Sequence, residues 1–168
     1  MTLLIRDVVA ADAEALGRMH HASWVEAYSS LLPDEFWHTY LPETRIEQYR
    51  RSLLEPQPGT RLVVAEVDGA IVGHAMTGPG TDGAGGLYPA VREREVYSIY
   101  VLAAHHGSGL GQSLLDAVLA PDEAAQLWVF ENNPRAIAFY RRNGFTPNGT
   151  RHVFGARFGN QPEIRMVR

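Results

Sequence analysis

The apolar positions along the chain follow two spacings, which predict helices in some segments and strands in others. The helical segments are apolar at every third or fourth residue, whereas the strand segments are short, β-branched and bounded by turn residues. The pattern predicts helices over residues 11–28, 33–40, 44–54, 109–120 and 133–143, and strands over 3–7, 61–67, 70–76, 95–102, 126–130 and two or more segments between 145 and 167. This order indicates one α+β domain over residues 1–168, with a βαβ-like stretch in its middle.

Turn residues support several of these boundaries. Asp68-Gly69 between two strand segments is typical of a β-hairpin. Asn133 can cap the helix that follows it, Pro134 suits the first helical position and Gly144 suits the helix end. Residues 78–86 contain five glycines and a proline, which predicts a mobile surface loop.

The composition is that of an ordinary globular protein. The 168 residues are 45% hydrophobic and 20% charged, and the net charge is -4. We therefore expect no nucleic-acid partner, because no basic footprint is present. No segment approaches the ~20 apolar residues of a membrane helix, and the N-terminus lacks the apolar core of a signal peptide. These features predict a cytoplasmic protein without a membrane partner.

Two residue types are missing, and their absence excludes several mechanisms. Without cysteine the chain has no disulfide, no thiolate zinc site and no covalent cysteine intermediate. All 15 basic residues are arginine, so Schiff-base and P-loop chemistry, which need lysine, are excluded too. The pairs His20-His21 and His105-His106 point in divergent directions and lack suitably spaced carboxylates, so we predict no metal site.

A glycine-rich loop between a strand and a helix is the first candidate site. Gly107, Gly109 and Gly111 allow the backbone to approach a ligand closely. The free N–H groups and the dipole of the helix start then suit a pyrophosphate. Such loops also occur for purely structural reasons. A dinucleotide-binding fold is a rival, but its spacing requires glycine where Gln112 stands, and too few βα units surround the loop.

A second motif follows the next strand. It consists of Asn133, Ala136, Phe139, Tyr140, Gly144 and Phe145. Together with the run His106-Gly-Ser-Gly-Leu-Gly111, it resembles the two signature motifs of the GNAT superfamily of acyl-CoA N-acyltransferases, in the family's order and spacing. The N-terminal strand, helices and hairpin follow the family order as well. The stretch from Ser23-Trp24 to Leu32-Pro33 resembles a bacterial subgroup whose acceptors are often unknown.

The resemblance implies a fold and a co-substrate. The expected fold is a mixed, mostly antiparallel twisted sheet of about six or seven strands with about four helices, in which two parallel strands splay apart and form a coenzyme A cleft. The implied co-substrate is acetyl-CoA; propionyl- or succinyl-CoA is the alternative donor, because the sequence does not show the pocket volume beyond the acetyl methyl. The residues implied to bind it lie on the strand before the loop, in the loop, at the helix start and on the next helix: Ile99, Tyr100, Val101, His106, Gly107, Ser108, Gly109, Leu110, Gly111, Gln112, Ser113, Asn133, Ala136, Phe139 and Tyr140.

One position departs from the family pattern. Relatives usually have Arg or Gln where this chain has His106. A neutral imidazole offers less charge to a pyrophosphate, which predicts a modest and pH-dependent affinity for acyl-CoA. The alternative, which we favour, is that main-chain N–H groups provide most of the binding and His106 contributes little.

The resemblance also implies catalytic roles. Tyr140 is the implied general acid that protonates the departing thiolate; the alternative is a tyrosine that only packs on the core. Glu95 corresponds to the general base of several relatives, which would accept a proton from the amine. Its alternatives are a solvated glutamate or a partner of Arg92 or Arg94, and other relatives use water chains. Because no cysteine is available, direct transfer in a ternary complex is the expected mechanism.

The acceptor cannot be inferred from the motifs beyond a primary amine of a small molecule or peptide. Trp24, Tyr28 and Tyr97 are candidates to line its site, although aromatic residues at helical spacing more often belong to a core. A catalytically silent acyl-CoA-binding sensor or interaction module is the alternative function. Relatives include monomers and dimers, and we favour a homodimer.

Overall fold

A computed structural model describes residues 2–168, in which seven strands form one sheet with helices on both faces. The strands are β1 (Leu3–Asp7), β2 (Arg61–Val67), β3 (Ala70–Pro79), β4 (Arg94–Val101), β5 (Gln126–Phe130), β6 (Thr146–Val153) and β7 (Pro162–Val167). The longer helices are α1 (Ala13–Tyr28), α2 (Asp34–Thr39), α3 (Pro42–Leu54), α4 (Leu110–Val118) and α5 (Pro134–Arg142). No helix within the described range is long and apolar enough to cross a membrane.

The sheet is mixed and mostly antiparallel, which confirms the predicted fold class. Its strand order is β1-β2-β3-β4-β5-β7-β6, and the pair β4–β5 is parallel while the other neighbours are antiparallel. The last strand, β7, therefore lies between β5 and β6. Nothing in the sequence pattern indicates this insertion, since both segments simply follow α5 along the chain.

The parallel pair β4–β5 separates almost as soon as it forms. The two strands pair at Glu95 with Gln126 and at Val96 with Leu127. On its other edge β4 contains a β-bulge at Tyr97, because Met76 pairs with Ser98 but Thr77 pairs with Val96. A bulge bends its strand and increases the local twist. Beyond it, β4 follows β3 and leaves β5, so a cleft opens between the two strands.

Strand β2 explains why the domain has two cores. Its side chains alternate between the faces, and both faces are apolar. Leu62 and Val64 face Leu16 and Met19 of α1. Val63 and Ala65 belong to the larger core on the opposite face, with Leu114, Leu115, Leu127, Phe145 and Met166. Each core excludes water from one face of the sheet, so α1 and α3 are fixed on one side and α4 on the other.

The first part of the glycine-rich segment, residues 78–83, is packed against neighbouring groups, which corrects the prediction of a mobile surface loop for that part. Gly78 belongs to β3 and pairs with Glu95. A Cβ on Gly80 would lie 2.0 Å from the carbonyl oxygen of Arg92, and one on Gly83 would lie 2.3 Å from the indole of Trp128. Gly80 and Gly83 are required for close contact with neighbouring groups, whereas Gly85 and Gly86 have left-handed backbone conformations and open space around them. Composition alone does not distinguish that requirement from flexibility.

The contact between α1 and α3 depends on a glycine and gives a testable prediction. A Cβ on Gly17 would lie 2.6 Å from Cγ1 and 2.7 Å from Cα of Ile46. We expect Gly17→Ala to lower the free energy of unfolding by about 1–3 kcal/mol, because overpacking outweighs the better helix propensity of alanine. Urea denaturation measures this.

Gly111 in α4 is the matched control. A Cβ there would lie 3.6 Å from Phe139, which is an ordinary van der Waals contact. Gly111→Ala is therefore expected to leave stability unchanged or to raise it by up to about 1 kcal/mol. Equal losses in the two variants would show that the α1–α3 contact is not the cause.

Candidate active site

The cleft between β4 and β5 is a cavity of about 730 Å³. Its wall is built from β4, the glycine loop, α5 and α1, with a contribution from β7. Most of the residues predicted for coenzyme A line it, namely Ile99, Tyr100, Val101, His106, Gly107, Gly109, Leu110, Gly111, Gln112, Asn133, Ala136, Phe139 and Tyr140. The predicted acceptor residues Trp24, Tyr28 and Tyr97 line the same cavity. Residues far apart in the sequence are thus brought to one site.

The glycine loop has the backbone geometry of an anion-binding turn. Gly107 has a φ of 77° and Gly109 a φ of 88°, a left-handed conformation that side chains disfavour. A Cβ at either position would meet nothing within 4 Å, so the conformation, not crowding, requires glycine. Helix α4 starts directly afterwards, and the N–H groups of its first turn lack intrahelical acceptors. Residues 109–112 line the cleft, so these N–H groups suit a phosphate group.

Two predicted residues, Ser108 and Ser113, lie outside the cavity wall. The Ser108 hydroxyl donates to the carbonyl of His105 at 2.6 Å. The Ser113 hydroxyl donates to the carbonyl of Gly109 at 3.4 Å. Both hydroxyls thus bond to the main chain of the loop, and their contact with a ligand stays a prediction.

His106 brings a cation to the glycine loop. Its Nε2 lies 2.8 Å from the carbonyl oxygen of Val101, and the Arg135 guanidinium contacts the imidazole ring. A proton on Nε2 is donated to Val101, which leaves Nδ1 to accept from Arg135; this tautomer is inferred from the hydrogen-bond pattern. Arg135 lines the cavity and was missed by the sequence analysis, because its position on α5 carries no signal of its own.

Helix α5 fixes the two most informative residues of the second motif. The Oδ1 of Asn133 accepts the N–H of Ala136 at 3.1 Å, as expected of an N-cap. Tyr140 is buried against Phe139 and Phe145 but lines the cavity. Burial, and then the nearby Tyr28, raise the pKa of the Tyr140 hydroxyl. Its proton is therefore present at neutral pH and available for donation.

Glu95 is buried, and it lies outside the cavity wall. Its Oε2 accepts hydrogen bonds from the N–H of Thr81 at 2.8 Å, from the Thr81 hydroxyl at 2.9 Å and from the side-chain amide of Gln126 at 2.8 Å. None of the alternatives considered, a solvated glutamate or a partner of Arg92 or Arg94, describes this environment. The role of Glu95 as a base stays a prediction.

An aromatic cluster forms the part of the cleft beneath α1 and α2. Tyr28 and Tyr100 have their hydroxyl oxygens 3.2 Å apart, and the Trp24 and Tyr28 ring centroids are 5.0 Å apart. The bulged Tyr97 donates its hydroxyl to the carbonyl of Pro79 at 2.6 Å. The sequence analysis missed other residues in this part of the wall, namely Phe130, Phe154, Phe158 and Glu163. The last three lie on β7 or on the segment that joins it to β6, so only the strand order brings them here.

Comparison with known families decides the assignment. The model of the acetyltransferase (GNAT) family matches residues 19–145. The chain belongs to the GNAT family. The matched range contains the bulged β4, the glycine loop and the capped helix α5, which together form the cleft.

Curated GNAT proteins match over part of this chain. An uncharacterised N-acetyltransferase of Mycobacterium tuberculosis is 36% identical over 99 residues, which cover 56% of this chain and 58% of the relative. Mycothiol acetyltransferase of Segniliparus rotundus is 37% identical over 95 residues, 55% of this chain and 32% of that protein. The chain thus spans less than two thirds of the length of these relatives.

Solved GNAT structures share the fold over nearly the whole chain. PaiA N-acetyltransferase from Thermoplasma acidophilum, in complex with coenzyme A, has a TM-score of 0.67 and 19% identity, and covers 98% of both chains. YncA from Salmonella typhimurium, with acetyl-CoA, has a TM-score of 0.69 and 22% identity, and covers 100% of this chain and 94% of that one. At these identities the likeness concerns the fold.

A series of buried, hydrogen-bonded side chains that includes two histidines lies next to the cleft, on the side of α1 and α3. His20 Nδ1 lies 2.7 Å from the Tyr49 hydroxyl, which is 3.4 Å from Nε2 of His74. The same Nε2 lies 2.9 Å from the hydroxyl of Ser98 on β4. Burial lowers the pKa of His74 to about 3 and that of His20 well below its ordinary value.

Within residues 2–168, no three His, Cys, Asp or Glu side chains are grouped to hold a metal ion.

These depressed pKa values predict that the fold loses stability in acid. Between about pH 6.5 and the lower folded-state values, the unfolded chain binds protons that the buried rings cannot. The contribution of these rings to stability is therefore full above pH 6.5 and falls below it, by up to ~1.4 kcal/mol per pH unit for each ring. Urea denaturation from pH 7.5 to 4.5 measures this slope.

The variant His74→Gln removes one of these rings and is expected to reduce the slope below pH 6.5. The glutamine amide can still bond to the Ser98 hydroxyl, so a hydrogen bond between position 74 and β4 is retained. His38→Gln, at an exposed position on α2, is the matched control and should leave the slope unchanged. An identical slope in His74→Gln and the native protein would contradict the assignment.

Proposed function

We propose that this chain is an acetyl-CoA-dependent N-acetyltransferase that transfers the acetyl group directly to a primary amine of a small molecule or peptide. The observation that carries this proposal is the cleft itself, with the glycine loop and Tyr140 in one continuous wall between β4 and β5. Membership of the GNAT family supports acyl transfer. The ligands named for two structures of the same fold, coenzyme A and acetyl-CoA, support the donor.

The splayed edge of β4 suits the pantetheine arm of the donor. Beyond Val96 the strand has no β5 partner, so main-chain groups of Ile99–Val101 at this edge can pair with pantetheine amides, except the Val101 carbonyl, which accepts a hydrogen bond from His106. A main-chain N–H at this edge also polarises the thioester carbonyl, as an oxyanion hole does. The N–H groups at the start of α4 then receive the pyrophosphate.

The wall of the cleft also provides the means of releasing the thiolate. When the amine attacks the thioester carbonyl, the C–S bond breaks and sulfur leaves with the electron pair. The protonated hydroxyl of Tyr140 donates to that sulfur. The chain has no cysteine that could form an acyl-enzyme, so both substrates are bound together during transfer.

Tyr140→Phe tests this role. The ring keeps its packing, and only the proton donor is lost. We expect kcat to fall about 10²–10⁴-fold, while the Kd of acetyl-CoA, measured by calorimetry, changes little. Unchanged turnover would exclude Tyr140 as the acid.

Arg135 supplies the charge that His106 lacks at the family's usual Arg or Gln position. A charge-assisted hydrogen bond to a phosphate contributes about 1.5–3 kcal/mol, so Arg135→Ala should raise the Kd of acetyl-CoA about 10-fold or more, with a weaker dependence on salt. Arg141→Ala removes the same charge from the same helix outside the cavity wall and is the control. Equal effects of the two variants would mean that only overall charge matters.

Two measurements test the proposal as a whole. Calorimetry with acetyl-CoA, with NAD as a control ligand, is expected to show binding of acetyl-CoA alone. A thiol-release assay over a panel of primary amines is expected to show turnover. Binding without release for any amine would favour the silent acyl-CoA-binding module. No binding at millimolar acetyl-CoA would contradict both functions.

A further inference from the structure

Glu163 lies on β7 and lines the wall of the cleft. On β7 it pairs with Phe130 of β5 and with His152 of β6. Residues directly opposite in antiparallel strands share a face of the sheet. Phe130 packs with Tyr28 and other residues of α1 and α2. Glu163 is therefore on the face opposite α4, and it lines the cavity from there.

The Glu163 carboxylate is open to a ligand. Glu26 and Glu163 are the acidic residues in the wall of the cleft within the described chain. Glu26 is exposed on α1, and its Oε2 accepts the N–H of Ala103 at 2.8 Å. Glu163 is half-buried, and no group of residues 2–168 donates a hydrogen bond to its carboxylate. It is thus the carboxylate beneath α1 and α2 that a cationic ligand would meet.

The other charged and titratable groups near Glu163 do not neutralise it. The Arg165 guanidinium on β7 donates to the carbonyl of Pro89 at 2.7 Å and to the Thr150 hydroxyl at 3.0 Å. His152, opposite on β6, stacks edge-on against Phe154 with centroids 5.1 Å apart. Tyr28 and Tyr100 are neutral at pH 7, because burial raises the pKa of both.

Burial, and then the charge of Glu95, raise the pKa of Glu163 from 4.5 to about 7. Glu95 itself accepts hydrogen bonds from Thr81 and Gln126 and does not line the cavity. Its charge nevertheless makes Glu163 a stronger base. A carboxylate with a pKa near 7 accepts a proton from an alkylammonium about 300-fold more readily than one at the ordinary value. General bases work best with a pKa near the working pH.

Aromatic rings line the cavity together with Glu163, which pairs with Phe130. The ring centroids of Tyr28 and Phe130 are 5.1 Å apart, those of Phe130 and Phe154 are 5.7 Å apart, and those of Phe154 and Phe158 are 4.9 Å apart. Such rings favour an apolar or aromatic body and tolerate a cation on their faces. One carboxylate among them matches one ammonium group, whereas a polyamine would need several.

We propose that Glu163 and these rings form the acceptor site for a primary monoamine with an apolar or aromatic body, and that Glu163 is the base that deprotonates it. Glu95 acts through Glu163 and is a positioning residue. The catalytic half of this inference rests on the proposed function, whereas the binding half does not.

The proton transfers balance. The Glu163 carboxylate takes one proton from the bound ammonium, and the neutral amine attacks the thioester carbon. The C–S bond breaks, sulfur leaves with the electron pair, and Tyr140 protonates it. The new amide nitrogen loses its second proton to the tyrosinate, and Glu163 releases its own proton to solvent. One proton is released per turnover.

Binding of the amine tests the site without any turnover. Calorimetry with 2-phenylethylammonium at pH 8, with no acyl donor present, should give a Kd in the millimolar range or below for the native protein. Glu163→Gln should raise this Kd at least 10-fold. Glu131→Gln, at an exposed residue just after β5, is the matched control and should not change it. No binding by the native protein, or equal binding by Glu163→Gln, would overturn the proposal.

Spermidine distinguishes the class of acceptor in the same experiment. A single-carboxylate site should bind it no more tightly than 2-phenylethylammonium once both are compared at 0.15 M salt. If spermidine binds more tightly and this binding is lost in Glu163→Gln, Glu163 is confirmed as part of the acceptor site, but the assignment of a monoamine is overturned. Circular dichroism of each variant confirms that a lost interaction does not reflect unfolding.

The pH profile tests the role of the base. With 2-phenylethylamine as acceptor, kcat/KM should rise as pH increases through about 7, where Glu163 loses its proton. Glu95→Gln keeps an oxygen acceptor for Thr81 and Gln126 but removes the charge, so the rise should move to lower pH. Glu163→Gln should lower kcat/KM about 10²-fold or more without weakening the binding of acetyl-CoA. An unchanged pH dependence of kcat/KM in Glu95→Gln would exclude an effect of the Glu95 charge on Glu163.

The outcomes separate the two proposals. If the amine binds through Glu163 but no thiol is released from acetyl-CoA, the proposed function fails and the acceptor site stands. If thiol is released at the native rate by Glu163→Gln, the enzyme stands and the assignment of the base fails.

Discussion

The early separation of β4 from β5 is the feature on which the other parts of the site depend. Adjacent parallel strands normally continue to pair, because each unpaired main-chain N–H and C=O must otherwise find another partner. Here the pairing ends after Val96, and the bulge at Tyr97 turns β4 along β3 instead. Both strands keep one paired edge, β4 with β3 and β5 with β7, so the sheet stays intact around the opening. The exposed edge of β4 and the wall of α5 then face the same space.

The strand order adds a second consequence. Because β7 lies between β5 and β6, the end of the chain lines a cleft that is otherwise built from its middle. The cleft is also asymmetric in charge. Arg135 and the glycine loop lie in one part of the wall, and Glu163 lies on β7 next to Phe130. Under the proposed function, these charges direct an anionic donor and a cationic acceptor to different parts of one cavity.

Local signals were sufficient to predict much of the fold. The spacing of β-branched residues placed β1, β2 and β5 at their observed limits, and Asn133-Pro134 placed the start of α5. Two features were beyond such signals. Position 17 on α1 is buried against Ile46 in a close helix–helix contact that only glycine permits, and the apolar spacing does not indicate it. Gly80 and Gly83 are closely packed in the structure, although the composition of the segment around them is typical of a loop.

The site was predictable where motif residues act through the backbone and unpredictable where partners come from distant strands. Gly107 and Gly109 follow from the motif because their conformation is local. The environment of Glu95 depends on Thr81 and Gln126, and that of Glu163 depends on the order β5-β7-β6, so neither can be derived from neighbouring sequence.

The central claim, that the opening between β4 and β5 holds an acyl-CoA, is tested most directly by amide chemical shifts in ¹⁵N-labelled protein titrated with acetyl-CoA. The account predicts that the largest changes occur at residues 99–101 on the splayed edge and at 107–112 in the loop and helix start. Changes concentrated elsewhere, for example at Gln48 and Ser52 in the smaller cavity beside α3, would contradict it.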